Sequence, residues 1–185
     1  MARLFLIRHG EPEEQWGEVG GDAGLSALGR SQAAATAERL KDLRPFRILS
    51  SPLKRAHETA AATAQLVGES ITTEPRIGEI ATPTEVVDRR AWLRELMVPG
   101  KRWREAGAQL AVWRDDLLNA VRGIDDDTAM FSHFVAINVI TGAALNSDAI
   151  TVCRPDLASI SEFEIENGKI RLVRGAPLEG GADAT

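Results

Sequence analysis

A chain of 185 residues has the length of one domain and enough chain to bury a sizeable core. Its 44% hydrophobic and 26% charged composition is that of a globular protein, and a net charge of −5 argues against general affinity for nucleic acid or an anionic membrane. Cys153 is the one cysteine, so an internal disulfide framework and a thiolate-built metal site are both excluded and a reducing compartment is expected. The opening apolar run ends at Ile7, too soon for a signal peptide, and nothing approaches the length of a membrane span, so a cytoplasmic protein is expected.

Leu4 to Ile7 read as a buried strand that delivers Arg8 and His9 to its carboxyl end, where open α/β sheets place their ligands. Gly10, without a β-carbon, would let an anion approach the backbone. The same residues also fit a plain core strand running into a polar turn, with His9 a surface imidazole. Residues Pro12 to Gly24, rich in Gly, Glu and Asp and containing Trp16, read as a loop over that strand end. Ser26 then caps a helix with Leu28, Ala33, Ala37 and Leu40 near one face, stopping before Pro45. Phe46 to Leu49 make a second strand, and Ser51-Pro52 supplies a cap and a first-turn proline for a helix to about Val67.

Glu74 to Thr84 is irregular, with two prolines. From Glu85 to Arg104, Trp92, Leu93, Leu96 and Trp103 alternate with Arg89, Arg90, Arg94, Lys101, Arg102 and Arg104. Three readings fit: a nucleic-acid surface with interleaved aromatics, a basic lid over an anion site, or an amphipathic helix with a solvated basic face. Leu110, Trp113, Leu117, Leu118 and Val121 mark an amphipathic helix packed on the sheet. After an acidic turn, Asp125 to Asp127, a short apolar strand spans Thr128 to Ser132, followed at once by His133 and a buried helix over Phe134 to Leu145. Ser159 to Ile165 and Lys169 to Val173 flank Asn167-Gly168, a strong hairpin turn signal. The resulting class is α/β.

His9 and His133 each follow a predicted buried strand and can emerge on one sheet edge. An imidazole attacks an electrophile only through an unprotonated nitrogen, and nearby arginines favour that state. Between Ser50 and Ala60 a strand gives way to a helix whose free N–H groups and partial positive charge suit an anion, with Arg55 in its first turns and His57 a solvated neighbour. No Gly-x-Gly-x-x-Gly or Walker pattern follows a predicted strand, which speaks against a nucleotide-binding domain.

Four motifs in order, Leu6-Ile7-Arg8-His9-Gly10-Glu11, Leu25-Ser26 through Gly29 with Gln32-Ala33, Ser50 to Ala60, and Ser132-His133, resemble the histidine phosphatase superfamily, the phosphoglycerate-mutase-like proteins. The resemblance implies a three-layer α/β/α sandwich with a mostly parallel sheet and a C-terminal antiparallel hairpin. It also implies one histidine phosphatase-like domain over residues 1–175, with a variable cap segment at about 79–106 and a disordered tail over 176–185.

By that resemblance, His9 is the nucleophile that becomes a transient phosphohistidine. Arg8, Arg55 and His133 hold the phosphoryl oxygens, and Glu79 serves as general acid and then base, so that His9, Glu79 and His133 are the catalytic residues. Phosphoryl transfer depends on in-line positioning and on fixed positive charge around the equatorial oxygens, which guanidinium groups supply. No metal and no cofactor is then needed.

Departures from the family pattern bear on the substrate. Ile80-Ala81-Thr82-Pro83-Thr84 replaces the usual glycine and aromatic context after Glu79, leaving Glu85 or Glu11 as substitutes for the acid. Phe134 stands where a glycine is usual, and Trp16-Gly17 where an asparagine is often found. The expected activity is hydrolysis of a soluble phosphomonoester. The alternatives are a phosphoglycerate-mutase-type phosphotransferase, for which the chain is expected to lack the closing insertions, and a non-catalytic phospho-ligand or protein-binding module on the same fold. The expected partner is a small phosphorylated substrate, without nucleic acid or membrane, and a homodimer face is plausible if Trp92 or Trp103 is exposed.

Overall fold

The computed structural model describes residues 1–13, 22–45 and 47–179. Strand β1 (Ala2–Arg8) opens the chain, with Leu4, Phe5, Leu6 and Ile7 each at 0% exposure. A run that apolar on both sides belongs to a parallel sheet covered on both faces. Helix α1 (Ala27–Leu43) follows, then β2 (Arg47–Ser50), α2 (Lys54–Val67), β3 (Ile71–Thr73), α3 (Arg89–Leu96), α4 (Ala108–Arg122), β4 (Thr128–Ser132), α5 (Phe134–Ala144), β5 (Ile160–Glu166) and β6 (Lys169–Arg174). Single 3-10 turns occur at Pro75–Ile77 and Trp103–Glu105.

Among the described residues these strands form a six-stranded sheet in the order β3-β2-β4-β1-β5-β6. β1, β2, β3 and β4 pair in parallel, whereas β5 lies antiparallel to both β1 and β6. Phe5, Ile7, Ile48, Ala129 and Phe131 pack on one face with Leu40 of α1 and Ala60 and Ala64 of α2. Leu4, Leu6 and Met130 pack on the other with Leu117, Leu118 and Val121 of α4 and Val135, Ile137 and Ile140 of α5. The expected three-layer sandwich with a mostly parallel sheet is the observed fold, and its C-terminal hairpin turns through Asn167 and Gly168 at φ of 50° and 72°. Positive φ at both central residues is the geometry that an Asn-Gly pair accepts.

The structure corrects several local expectations. Leu28 is 55% exposed, and α1 instead turns Gly29, Ala33, Thr36, Ala37 and Leu40 inward, small residues that let it lie close to its neighbours. Ser26 does cap α1, accepting from the Gly29 N–H at 3.0 Å. Ser51 does not cap α2: that helix begins at Lys54 after Leu53, which gives no side-chain cap bond. Strand β3 is a three-residue edge strand whose Ile-Thr-Thr sequence is too short to show a period. Phe46, the Trp16-Gly17 stretch within residues 14–21, and tail residues 180–185 lie outside the described residues. Within the expected tail, Leu178 forms a bridge with Cys153, and the Glu179 N–H donates to Val152 O at 2.8 Å. Trp103 is 5% exposed and Trp92 half-buried, so the condition set for a homodimer face, an exposed Trp92 or Trp103, is not met. Among the described residues no helix is long and apolar enough to cross a membrane.

Candidate active site

Strand β4 lies between β2 and β1, so the carboxyl ends of all three parallel strands reach one edge of the sheet side by side. The ladder continues one step beyond them: the His9 N–H donates to Ser132 O and the Ser51 N–H to Phe131 O, each at 3.0 Å. His9, Ser51 and His133 thereby become neighbours, although 42 and 82 residues separate Ser51 from His9 and His133 along the chain. The two histidine rings sit with centroids 5.2 Å apart.

The protonation state of His9 follows from its two contacts. Its Nδ1 is 2.8 Å from the Gly10 carbonyl oxygen, which can only accept, so Nδ1 carries the proton. Nε2 therefore presents a lone pair, and it accepts from the Arg55 Nε–H at 3.2 Å. Burial pushes the His9 pKa down to about 3, and the charges of Arg55 and Arg8 add to the effect against the Gly10 bond. Burial also holds His133 well below the ordinary histidine value, reinforced by His9, Arg55, Arg8 and Arg89. Both rings are neutral at pH 7, and His9 offers its free electron pair towards a guanidinium.

Arg8 and Arg55 flank that pair. Arg8 donates from Nη1 to Pro155 O at 2.8 Å, and its guanidinium carbon lies 5.2 Å from the centre of the Phe134 ring. Phe134 thus shields one side of Arg8, consistent with an attraction between cation and ring face. The Arg8 Nε and His133 Nδ1 atoms are buried and have no hydrogen-bond partner among the described residues. Two buried nitrogen sites next to the free electron pair of His9 match what an oxyanion needs. His133 is the N-cap residue of α5 and gives no side-chain cap bond, so the partial positive end of that helix begins at His133.

Glu79 arrives from the segment after β3. The Ser132 Oγ–H donates to Ile77 O at 2.7 Å, and Ile77 and Ile80 are buried at 0% and 1%, so both sides of Glu79 are anchored to the core. Desolvation raises the Glu79 pKa above the ordinary carboxylate value, opposed by the Ile80 N–H and by the charges of Arg55, Arg89 and Arg8. The Ile80 N–H donates to Glu79 Oε1 at 3.0 Å. Its substitutes are placed elsewhere: Glu11 accepts from the Ser26 hydroxyl at 2.6 Å as part of the α1 cap, and Glu85 is exposed. His57 is exposed as well.

The basic segment divides. Lys101 and Arg104 pair with surface carboxylates of Glu95 and Asp148 at 4.0 and 3.7 Å, and Arg94 and Arg102 are exposed. Arg89, at the start of α3, instead donates to Thr82 Oγ1 and to Ile80 O, and its charge acts on Glu79, Arg55 and His133. Asp88 holds this turn by accepting from the Ala91 N–H at 2.9 Å.

Two contributors escaped the sequence reading. Ser51 stands 2.7 Å from His133 Nε2 and was assigned to a helix cap; its position directly after a strand end, like those of His9 and His133, was the available signal. Thr59 accepts from the Gly10 N–H at 3.0 Å while donating to Arg55 O at 2.7 Å, tying the two arginine motifs together. Gly10 itself is small for another reason than room for an anion, because a β-carbon there would lie 2.7 Å from Gly29 O.

A family profile described as "Histidine phosphatase superfamily (branch 1)" matches residues 4–176. A glucosyl-3-phosphoglycerate phosphatase from Mycolicibacterium vanbaalenii is 38% identical over 124 residues, which cover 65% of this chain and 51% of that one. The match thus spans about half the length of that relative. A probable phosphoglycerate mutase from Proteus mirabilis is 28% identical over 206 aligned positions, covering 100% of this chain and 94% of the other. The crystal structure of a phosphoserine phosphatase from Entamoeba histolytica in complex with 3-phosphoglyceric acid superposes with a TM-score of 0.73 at 23% identity, over 95% and 97% of the two chains. At that identity the superposition speaks for the fold.

Proposed function

The chain belongs to the histidine phosphatase superfamily (branch 1), and from that premise we propose that it is a phosphatase hydrolysing a soluble phosphomonoester through a phosphohistidine on His9. The observation that carries this reading is the His9 Nε2 lone pair, fixed by the Nδ1 contact to Gly10 O and set among Arg8, Arg55 and His133. In the first step Nε2 attacks phosphorus, the bond to the ester oxygen breaks, and Glu79 gives its proton to the departing alkoxide. Arg55, whose Nε–H meets Nε2 in the free site, then turns its donor to a phosphoryl oxygen. In the second step Glu79, now a carboxylate, takes a proton from water as that water attacks phosphorus. The P–N bond breaks, inorganic phosphate leaves, and His9 and Glu79 regain their starting states. Arg8, Arg55 and Arg89 supply permanent positive charge, so the site residues meet the electrostatic demand of the reaction without a metal ion.

Arg89 adds charge beyond what a phosphate dianion shared by Arg8 and Arg55 requires. Two of the similar proteins bear names that couple phosphate with a carboxylate, glucosyl-3-phosphoglycerate and phosphoserine. A substrate with a second anionic group near the phosphate fits this site best. A panel of phosphorylated metabolites with and without a carboxylate tests that preference. A mutase reading is favoured by the whole-length similarity to the probable phosphoglycerate mutase. It requires the phosphoenzyme to pass its group to a second substrate faster than to water.

The deciding experiment is hydrolysis of para-nitrophenyl phosphate by purified protein across roughly pH 5 to 8, with trapping of acid-labile phosphate. Turnover and trapped phosphate in the native chain, both lost in His9→Ala, are expected. Neither turnover nor labelled His9 would leave a phospho-ligand binding module as the function.

A further inference from the structure

Ser51 has 0% exposure, and its hydroxyl oxygen lies against the candidate site. Its Oγ accepts from the Leu53 N–H at 3.2 Å and stands 2.7 Å from His133 Nε2. The other ring nitrogen, His133 Nδ1, is buried with no hydrogen-bond partner among the described residues. The neighbouring Ser50 hydroxyl is already committed, donating to Ser51 O at 2.8 Å.

A neutral imidazole carries one N–H, and which nitrogen holds it is set by the partner of the other. If Nε2 held it, Nδ1 would turn a lone pair towards the phosphoryl oxygens, and His133 would repel the group it is needed to hold. If Ser51 donates its hydroxyl proton to Nε2, the ring proton sits on Nδ1 and becomes a donor. The contacts of Ser51 allow this, since the Leu53 N–H uses only one of the lone pairs on Oγ and leaves the hydroxyl proton free to point at the ring. Every charged or ionisable neighbour acting on His133 (His9, Arg55, Arg8 and Arg89) disfavours a second proton, so the ring cannot satisfy both contacts as an imidazolium in the free site.

We propose that Ser51 is a positioning residue that donates to His133 Nε2 and fixes the ring as its Nδ1–H tautomer, making His133 a neutral donor to the phosphoryl group. His9 is fixed in the same sense by the Gly10 carbonyl, so two histidines 5.2 Å apart hold the same tautomer for opposite purposes: one exposes a lone pair and the other an N–H. The inference rests on reading the pocket as a phosphoryl site, but the tautomer is measurable without substrate.

The test is long-range proton–nitrogen NMR on protein labelled with 15N at its three histidines, assigned with His57→Asn and His9→Asn variants. Native His133 is expected to show a protonated Nδ1 and a bare Nε2. Ser51→Ala is expected to lose that pattern and to bind inorganic phosphate about tenfold more weakly, with Ser51→Thr restoring both. A native His133 with its proton on Nε2 overturns the proposal whatever the variants do, and so does an unchanged tautomer in folded Ser51→Ala. Absence of phosphatase turnover with the Nδ1–H tautomer in place would instead count against the hydrolytic reading and leave the role of Ser51 standing.

Discussion

In the proposed reaction His9 attacks phosphorus only as a neutral imidazole, and burial, which pushes its pKa down to about 3, keeps it neutral far below the ordinary histidine range. A nucleophile titrating near its usual value of about 6.5 would lose roughly tenfold in rate per pH unit below it. The expected kcat for para-nitrophenyl phosphate therefore falls by less than that slope between about pH 6.5 and pH 4.5; a full tenfold loss per unit would assign His9 an ordinary pKa. Glu79 shifts the other way, upward, chiefly through desolvation. A general acid must hold its proton, so a raised pKa extends activity to higher pH, and activity on alkyl phosphates declines as pH rises through it. Measured as phosphoenzyme formation, the step that needs the acid, Glu79→Gln is expected to slow alkyl phosphates about 100-fold or more and the aryl ester, whose leaving group needs no proton, much less, while loss of the base slows the second step for both. Equal losses of phosphoenzyme formation on the two substrate kinds would remove Glu79 from the acid role.

At the scale of elements, the first two motifs are held together by backbone packing. A β-carbon on Gly29 would fall within the Glu11 carbonyl oxygen, while one on Gly10 would lie 2.7 Å from Gly29 O. The amino end of α1 thus lies directly against the turn that follows Arg8 and His9. Gly29→Ala is expected to cost about 1–3 kcal/mol of stability by overpacking and to weaken phosphate binding, because the turn must move with the helix. Unchanged phosphate affinity, measured by competitive inhibition, would show that the helix shifts without the turn. The start of α3 carries a second prediction, since it aims Arg89 at the site while Arg102 faces solvent. Arg89→Ala is expected to raise KM about tenfold with a smaller change in kcat, while Arg102→Ala leaves both within about twofold. Equal effects would return the whole segment to a single basic surface.

For the molecule as a whole, burying two neutral histidines links stability to pH. In the folded protein His9 titrates at about 3, against about 6.5 when unfolded, and His133 is displaced in the same direction. Between those values the unfolded chain binds more protons, so stability falls as pH drops from about 6.5 towards 3, by up to about 1.4 kcal/mol per unit for each ring. Glu79 acts oppositely: its raised pKa contributes stability that is lost as pH rises through it. The thermal midpoint is expected to drop below about pH 6, and His9→Asn to flatten that acid branch. An unchanged branch in the variant would place its origin elsewhere. The sheet that imposes this burial is itself costly to disturb. Phe131 is 0% exposed between α1 and α2 on one side, and its truncation to Ala is expected to cost about 3–5 kcal/mol.

Much of what depends on neighbours along the chain was legible from the sequence, the start of α2 excepted. The apolar run of β1, the Ser26 cap, the Asn167-Gly168 turn and the emergence of Arg8, His9 and His133 at strand ends all follow from local periodicity and turn chemistry. The order of the four motifs carried the family. Tertiary structure decided what depends on residues far apart in sequence. It made Leu28 a surface residue, took Ser51 from a helix cap to the His133 ring, separated Arg89 from the other basic residues of its segment, and set a desolvated Glu79 near Arg8, Arg55 and Arg89 while Glu11 joins the α1 cap and Glu85 stays exposed. The physical reason is the insertion of β4 between β2 and β1. Desolvation and long-range contact, which set the shifted pKa values of His9, His133 and Glu79, arise only when that pairing brings three distant strand ends to one edge.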